Sequence, residues 1–237
     1  MAHSAAELLL LGFFMHASLD IRIVQCLDGL HYSFAILEHI YSSLHEVCVR
    51  APDDHSSLVP ALWRCWSLVD VVHRIREVAQ ALPGLSKKDT ELVAFLEATK
   101  LAEEFRHYIQ HLRSELSKKA VNPFPVWGSL AWVDPVNPAS SYLVVIGAQV
   151  SGTSYTGCVF DIVARKWVSK VCLGVNGKSV NFDPIYEACL RFRDFVIPWA
   201  LSAYKPGIQT TTELQIITIQ MLVPETEEAS QGTPPRG

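Results

Sequence analysis

Four side chains in the stretch EEFRHYIQHLRSEL, residues 103–116, are of the types that handle a phosphodiester: Arg106, His107, Gln110 and His111. An arginine fork matches phosphate oxygens and keeps its charge. Histidine takes or gives a proton near neutral pH. On a helix, at about 100° per residue from Arg106, Gln110 lies near 40°, His107 near 100° and His111 near 140°. Phe105, Ile109, Leu112 and Leu116, with Ala102 at their edge, form a separate apolar stripe. In the chemical reading Arg106 binds a scissile phosphate and offsets its growing charge. His111 acts as general base or acid on a ribose 2′-hydroxyl, and His107 and Gln110 orient the substrate. This chemistry needs no metal and no cofactor. A plainer account serves the same residues: a solvated helix face on which Arg106 pairs with Glu103 or Glu104 and the histidines are surface groups.

A second constellation precedes it. Trp66, Asp70, His73 and Glu77 recur at i, i+4, i+7 and i+11, on one side of a helix. A carboxylate beside a histidine suits a metal site, or a layer in which Asp70 and His73 support the later motif. Such a stripe is more often a polar cluster fixing helix register, or an ion-paired face. His31, His39 and His45 are too spread around their helix to share an ion. No glycine-rich turn between strand and helix is present to cradle a phosphate, and no G-x-S-x-G occurs. Cys26, Cys48, Cys65, Cys158, Cys172 and Cys189 contain no C-x2-C pair and lie in apolar runs, which reads as buried free thiols in a reducing compartment. Arg165, Lys166 and Lys170 make a small basic spot, best explained as a turn decorated for solubility.

Long amphipathic helices must position the polar band. Residues 18–49 carry apolar side chains at helical spacing, from Ile23 and Leu27 to Leu44 and Val47, and Gly29 lowers the local propensity. APDDHSS at 51–57 is a turn with Ser56 or Ser57 as N-cap. The next helix runs over about 58–81 and buries Leu62, Cys65, Val69, Val72, Ile75, Ala79 and Leu82. Pro83 and Gly84 stop it. Asp89 or Ser86 then caps a helix predicted to run unbroken to about Lys118. Short turns between such helices imply an antiparallel bundle. NPFPVWG at 122–128 is a linker. SLAWV, SYLVVIGAQV, YTGCVFDIVA and KWVSKVCLGV are β-rich and read as an antiparallel meander. Asp183–Pro184 starts a helix with a kink or interruption expected at Pro198. TTTELQIITIQMLV at 210–223 is a last strand. The fold class is α+β: a helical bundle over 1–120, an α+β unit over 128–223 with a small antiparallel sheet and one packed helix, and a disordered tail over 224–237.

The helical half resembles the HEPN domains, the higher-eukaryote and prokaryote nucleotide-binding helical domains. Their mark is an arginine on a late helix followed, after four to six residues, by a histidine, often with a polar residue directly after the arginine. Here it reads R-HYIQ-H, with His107 in the polar slot. The same spacing from Arg50 to His55 falls in a turn. The resemblance covers residues 20–119 and is silent on the β-rich half. It implies a homodimer in which two motifs meet in one cleft, RNA as substrate and metal-independent cleavage, or an inactive relative of such an enzyme.

The chain has 237 residues, 49% of them hydrophobic and 19% charged, so a large core is available. The net charge of −4 excludes a global basic field, and any contact with RNA is local. LLLLGFF at 8–14 is short for a membrane span and lacks a basic n-region; it reads as a buried helix or strand, with a signal peptide as the alternative. The expected location is the cytoplasm, with no membrane partner. Two function classes stand. One is a HEPN-type endoribonuclease. The other is a non-catalytic interaction module whose helical half oligomerises and whose C-terminal sheet binds a protein partner or a small ligand.

Overall fold

The architecture comes from a computed structural model, which describes residues 13–14, 20–118, 123–148, 150, 152–204 and 209–210. Asp20 starts the first helix, α1 (Ile21–Arg50), by accepting from the Arg22 amide at 2.9 Å. Val24, Leu27, Leu30, Phe34, Leu37, Ile40, Leu44 and Val47 are buried at the spacing of three and four that one helix face requires. Helix α2 (Leu58–Ala81) packs antiparallel to it, and a Cβ on Gly29 would stand 3.3 Å from Val78 Cγ2. The glycine that weakens α1 in isolation therefore lets the two helices approach closely. Ahead of α2, Asp54 rather than either serine makes the cap bonds. Its carboxylate accepts from Ser56 N at 3.0 Å and from Ser56 Oγ at 2.6 Å, and Ser57 caps α2 without a side-chain bond.

The single late helix is corrected to three: α3 (Thr90–Ala98), α4 (Lys100–Gln110) and α5 (Leu112–Leu116). Asp89 caps α3 as expected, accepting from Glu91 and Leu92 amides. At Thr99 the hydroxyl bonds back to Phe95 O at 2.7 Å and the backbone leaves helical geometry (φ −104°, ψ 8°). A second break follows at His111 (φ −105°, ψ 21°). Leu92, Phe95, Ala102 and Phe105 reach the core, whereas Leu116 is exposed.

Beyond the linker, four strands form one antiparallel sheet in the order β3 (Ser141–Val145), β2 (Ser129–Val133), β6 (Val171–Val175), β7 (Lys178–Asn181). In place of a simple meander, β4 (Phe160–Asp161) and β5 (Lys166–Trp167) make their own two-stranded hairpin. Most of YTGCVFDIVA is not strand. Residues 156–158 instead cross the sheet face that bears Ala131 and Cys172: a Cβ on Gly157 would lie 4.0 Å from Ala131 Cβ, and Cys158 Sγ is 4.0 Å from Cys172 Sγ. Asn176 and Gly177, both at positive φ (53° and 74°), turn β6 into β7, as an Asn-Gly hairpin should.

Helix α6 (Phe182–Tyr204) runs through Pro198 without interruption. Its Phe192 stacks on Phe95 at 4.4 Å and its Tyr186 on Tyr41 at 3.7 Å, so it packs on α3 and α1. Leu130, Trp132 and Leu173 of the sheet belong to the same buried cluster as the helix interiors. The fold is α+β, with helices first, then a small antiparallel sheet and a packed C-terminal helix. Phe13–Phe14 (β1) pairs antiparallel with Gln209–Thr210 (β8). The remainder of the strand expected over 210–223, residues 8–12 of the apolar run and the 224–237 tail lie outside the described residues. Among the described residues no helix is long and apolar enough to cross a membrane.

Candidate functional site

One residue of the polar band of α4 meets the Asp70–Glu77 stripe of α2: Arg106 lies against Asp70. Arg106 Nε lies 2.8 Å from Asp70 Oδ1, an ion-pair distance at which its N–H is not aimed along a hydrogen bond. The other oxygen, Asp70 Oδ2, accepts from Arg74 Nε at 2.8 Å. One carboxylate is thus shared by two guanidinium groups from two helices. The Arg106 side chain is 26% exposed and that of Asp70 is 32% exposed, so less than a third of either faces water. With its amide oxygen turned inward, Gln110 accepts from Arg106 Nη1 and Nη2 at 3.2 Å each.

The histidines form a different pair. His107 and His111 are exposed, with ring centroids 4.3 Å apart and planes tilted by 50°. The four residues predicted to share one task therefore divide into two i, i+4 couples, Arg106 with Gln110 and His107 with His111. No hydrogen bond or ion pair among the described residues joins His111 to Arg106. The break after Gln110 accompanies this division, because His111 is the residue at which α4 ends.

Of the two supporting residues, Asp70 does meet Arg106, but His73 turns elsewhere. His73 Nδ1 lies 2.7 Å from Glu103 Oε2, which also accepts from Arg76 Nε at 3.2 Å. Arg76 is fixed in turn by bonds from Nη1 to Leu96 O at 2.5 Å and to Thr99 Oγ1 at 2.6 Å. Glu103 is thereby engaged by His73 and Arg76, and Glu104 forms an ion pair with Lys178, which holds its carboxyl below the ordinary glutamate range. Neither is the partner of Arg106, so the plainer account is corrected on that point. Arg76, Thr99 and Lys178 are polar residues that sequence reasoning passed over. Arg76 is one residue off the stripe that was read, and its link to Thr99 spans 23 positions.

A cleft of about 180 Å³ opens beside the band, between α4, α5 and the β6–β7 turn. His107, Tyr108, Glu104, Glu115, Asn176 and Lys178 line it, and Arg106 and His111 do not. Its volume is below that of a drug-sized ligand site. Burial pushes the Cys48 and Cys189 thiols up to about 12, and Cys65 is raised well above the ordinary range for the same reason. The proximity of Cys172, with burial, raises Cys158. Thiols held protonated in this way are poor nucleophiles. No family model matches the chain, and neither a curated protein nor a solved structure matches it.

Proposed function

We propose that the protein is a non-catalytic interaction module that docks a protein partner through its C-terminal sheet. The observation that carries this reading is an ordered apolar surface, formed by the β2–β3 turn and the adjoining β4–β5 hairpin, that nothing covers among the described residues. Val136 in the β2–β3 turn is 91% exposed, and Ile162 and Val163 at the β4–β5 tip are 83% and 95% exposed. The tip is not loose. Asp161 Oδ1 accepts from the amides of Val163 at 2.8 Å and Ala164 at 2.9 Å, and Trp167 Nε1 ties the hairpin to Pro138 O at 2.7 Å. Strand β3 has β2 on one side and no strand on the other among the described residues, and its Tyr142 and Leu143 are exposed. An open edge next to apolar tips suits strand addition by an extended segment of a partner. The engagement of Arg106 by Asp70 and Gln110 supports a structural part for the polar band.

Affinity capture with the full-length chain tests this reading. A stoichiometric partner held by the native protein is lost with Leu143→Lys or Ile162→Asp and kept with Trp63→Ala, an exposed change on α2. Retention by the sheet variants would overturn it.

A second reading, a metal-independent HEPN-type endoribonuclease or its inactive relative, draws support from the exposed imidazole couple His107–His111 one residue from Arg106. It requires a homodimer in which Arg106 leaves Asp70 for phosphate. Cleavage of single-stranded RNA in EDTA that disappears in both Arg106→Ala and His111→Ala would establish it over the first.

A further inference from the structure

We infer that His73, Glu77 and Glu103 form a binding site for a divalent transition-metal ion, independent of the docking surface. His73 and Glu77 are one helical turn apart on α2, and Glu103 comes from α4. One ligand atom from each lies within 4.8 Å of the other two. An ion held at about 2.1 Å by each donor sets neighbouring donors roughly 3.0–3.4 Å apart. His73 Nδ1 and Glu103 Oε2 already stand at 2.7 Å, so an ion enters by a small parting of that pair. Glu77 is exposed and has no hydrogen bond or ion pair among the described residues, so its carboxylate is free to swing in.

The surroundings resemble those of a ligand set rather than of a chance cluster. Carboxylates that ligate metals are themselves hydrogen-bonded from outside, which fixes their orientation. Arg76 Nε does this to Glu103, donating at 3.2 Å to the same Oε2 that faces His73 and leaving that oxygen a second lone pair for an ion, and its own guanidinium is anchored on Leu96 O and Thr99 Oγ1. One imidazole nitrogen with two carboxylate oxygens suits zinc, cobalt or manganese better than calcium or magnesium, which take oxygen alone. Three protein donors leave outward positions for water. Arg76 leaves only one net negative charge at the triad when His73 is neutral, which holds the affinity to a moderate level. Bound, the ion would clamp α2 to α4 beside the Asp70–Arg106 pair.

Cobalt(II) titration of the chelator-treated full-length protein, followed by visible absorption, tests the site. One equivalent binds with ligand-field bands and no thiolate charge-transfer band. Glu77→Gln, which touches nothing that holds the fold, weakens binding at least about 10-fold. His73→Gln does the same, whereas Glu97→Gln on α3 leaves it unchanged. No saturable binding, a thiolate band, or binding indifferent to Glu77→Gln would overturn the assignment.

Discussion

Arg106 shows how a side chain suited to phosphate serves packing instead. Its charge is balanced by Asp70, which Arg74 shares, and Gln110 takes the far side of the guanidinium. Asp70→Ala leaves two guanidinium groups without that carboxylate. It should cost about 1 kcal/mol, allowing for the partial exposure of the pair, as read by urea unfolding. An unchanged midpoint would mean that the pair is a surface coincidence. The thiols give a pH test. Cys48 and Cys189 keep their protons up to about 12 in the folded chain. The unfolded chain releases them near the ordinary value, so their contribution is complete below that value and is lost as pH rises toward 12. The urea midpoint should fall between about pH 8 and pH 11, and fall less in Cys48→Ala. Residue types and the helical spacing of the polar band were legible in the sequence, but the partners were not. Asp70 and Arg106 meet across two helices, and that azimuth is set by packing rather than by spacing.

Elements followed their local signals where those signals were strong. Helix α2 has the bounds its apolar stripe and Pro83–Gly84 stop imply, and α1 tolerates Gly29 because the glycine admits Val78. The late helix failed as one piece for a tertiary reason. Nothing in ATKLA or IQHLR breaks a helix by propensity, yet Thr99 turns its hydroxyl to Phe95 O and receives Arg76 from α2. Strand β7 was missed although Asn176–Gly177 announces a hairpin, because the KSVN that follows is short and polar. Gly128, at the mouth of β2, has φ +87°, and a Cβ there would stand 2.2 Å from Gly174 O. Gly128→Ala should therefore destabilise by roughly 2–4 kcal/mol, both through the left-handed backbone and through collision with β6. A melting temperature within a degree or so of the native protein would contradict that placement.

At the scale of the molecule, one buried cluster joins α1, α2, α3, the sheet and α6. Phe192 on α6, stacked on Phe95, is nearly inaccessible. Phe192→Ala should cost about 3–5 kcal/mol, and helical circular dichroism and tryptophan fluorescence should still lose their signals in one coincident transition. Two separated transitions would show that the helical half and the sheet unfold independently. The α+β class could be read from composition, since helical periodicity gives way to β-branched runs near residue 128. The return of α6 to the N-terminal helices could not, because amphipathic spacing names a buried face without naming its neighbour. Among the described residues that assembly leaves the β3 edge without a further strand and the apolar tips of Val136, Ile162 and Val163 exposed, and the functional account turns on this surface. A photoreactive p-benzoylphenylalanine placed at Leu143, and separately at Trp63 on α2, tests it most directly in the native host. The account predicts one discrete crosslinked protein product from position 143 and none from position 63; a product from 63 alone, or crosslinking to RNA in place of protein, would contradict it.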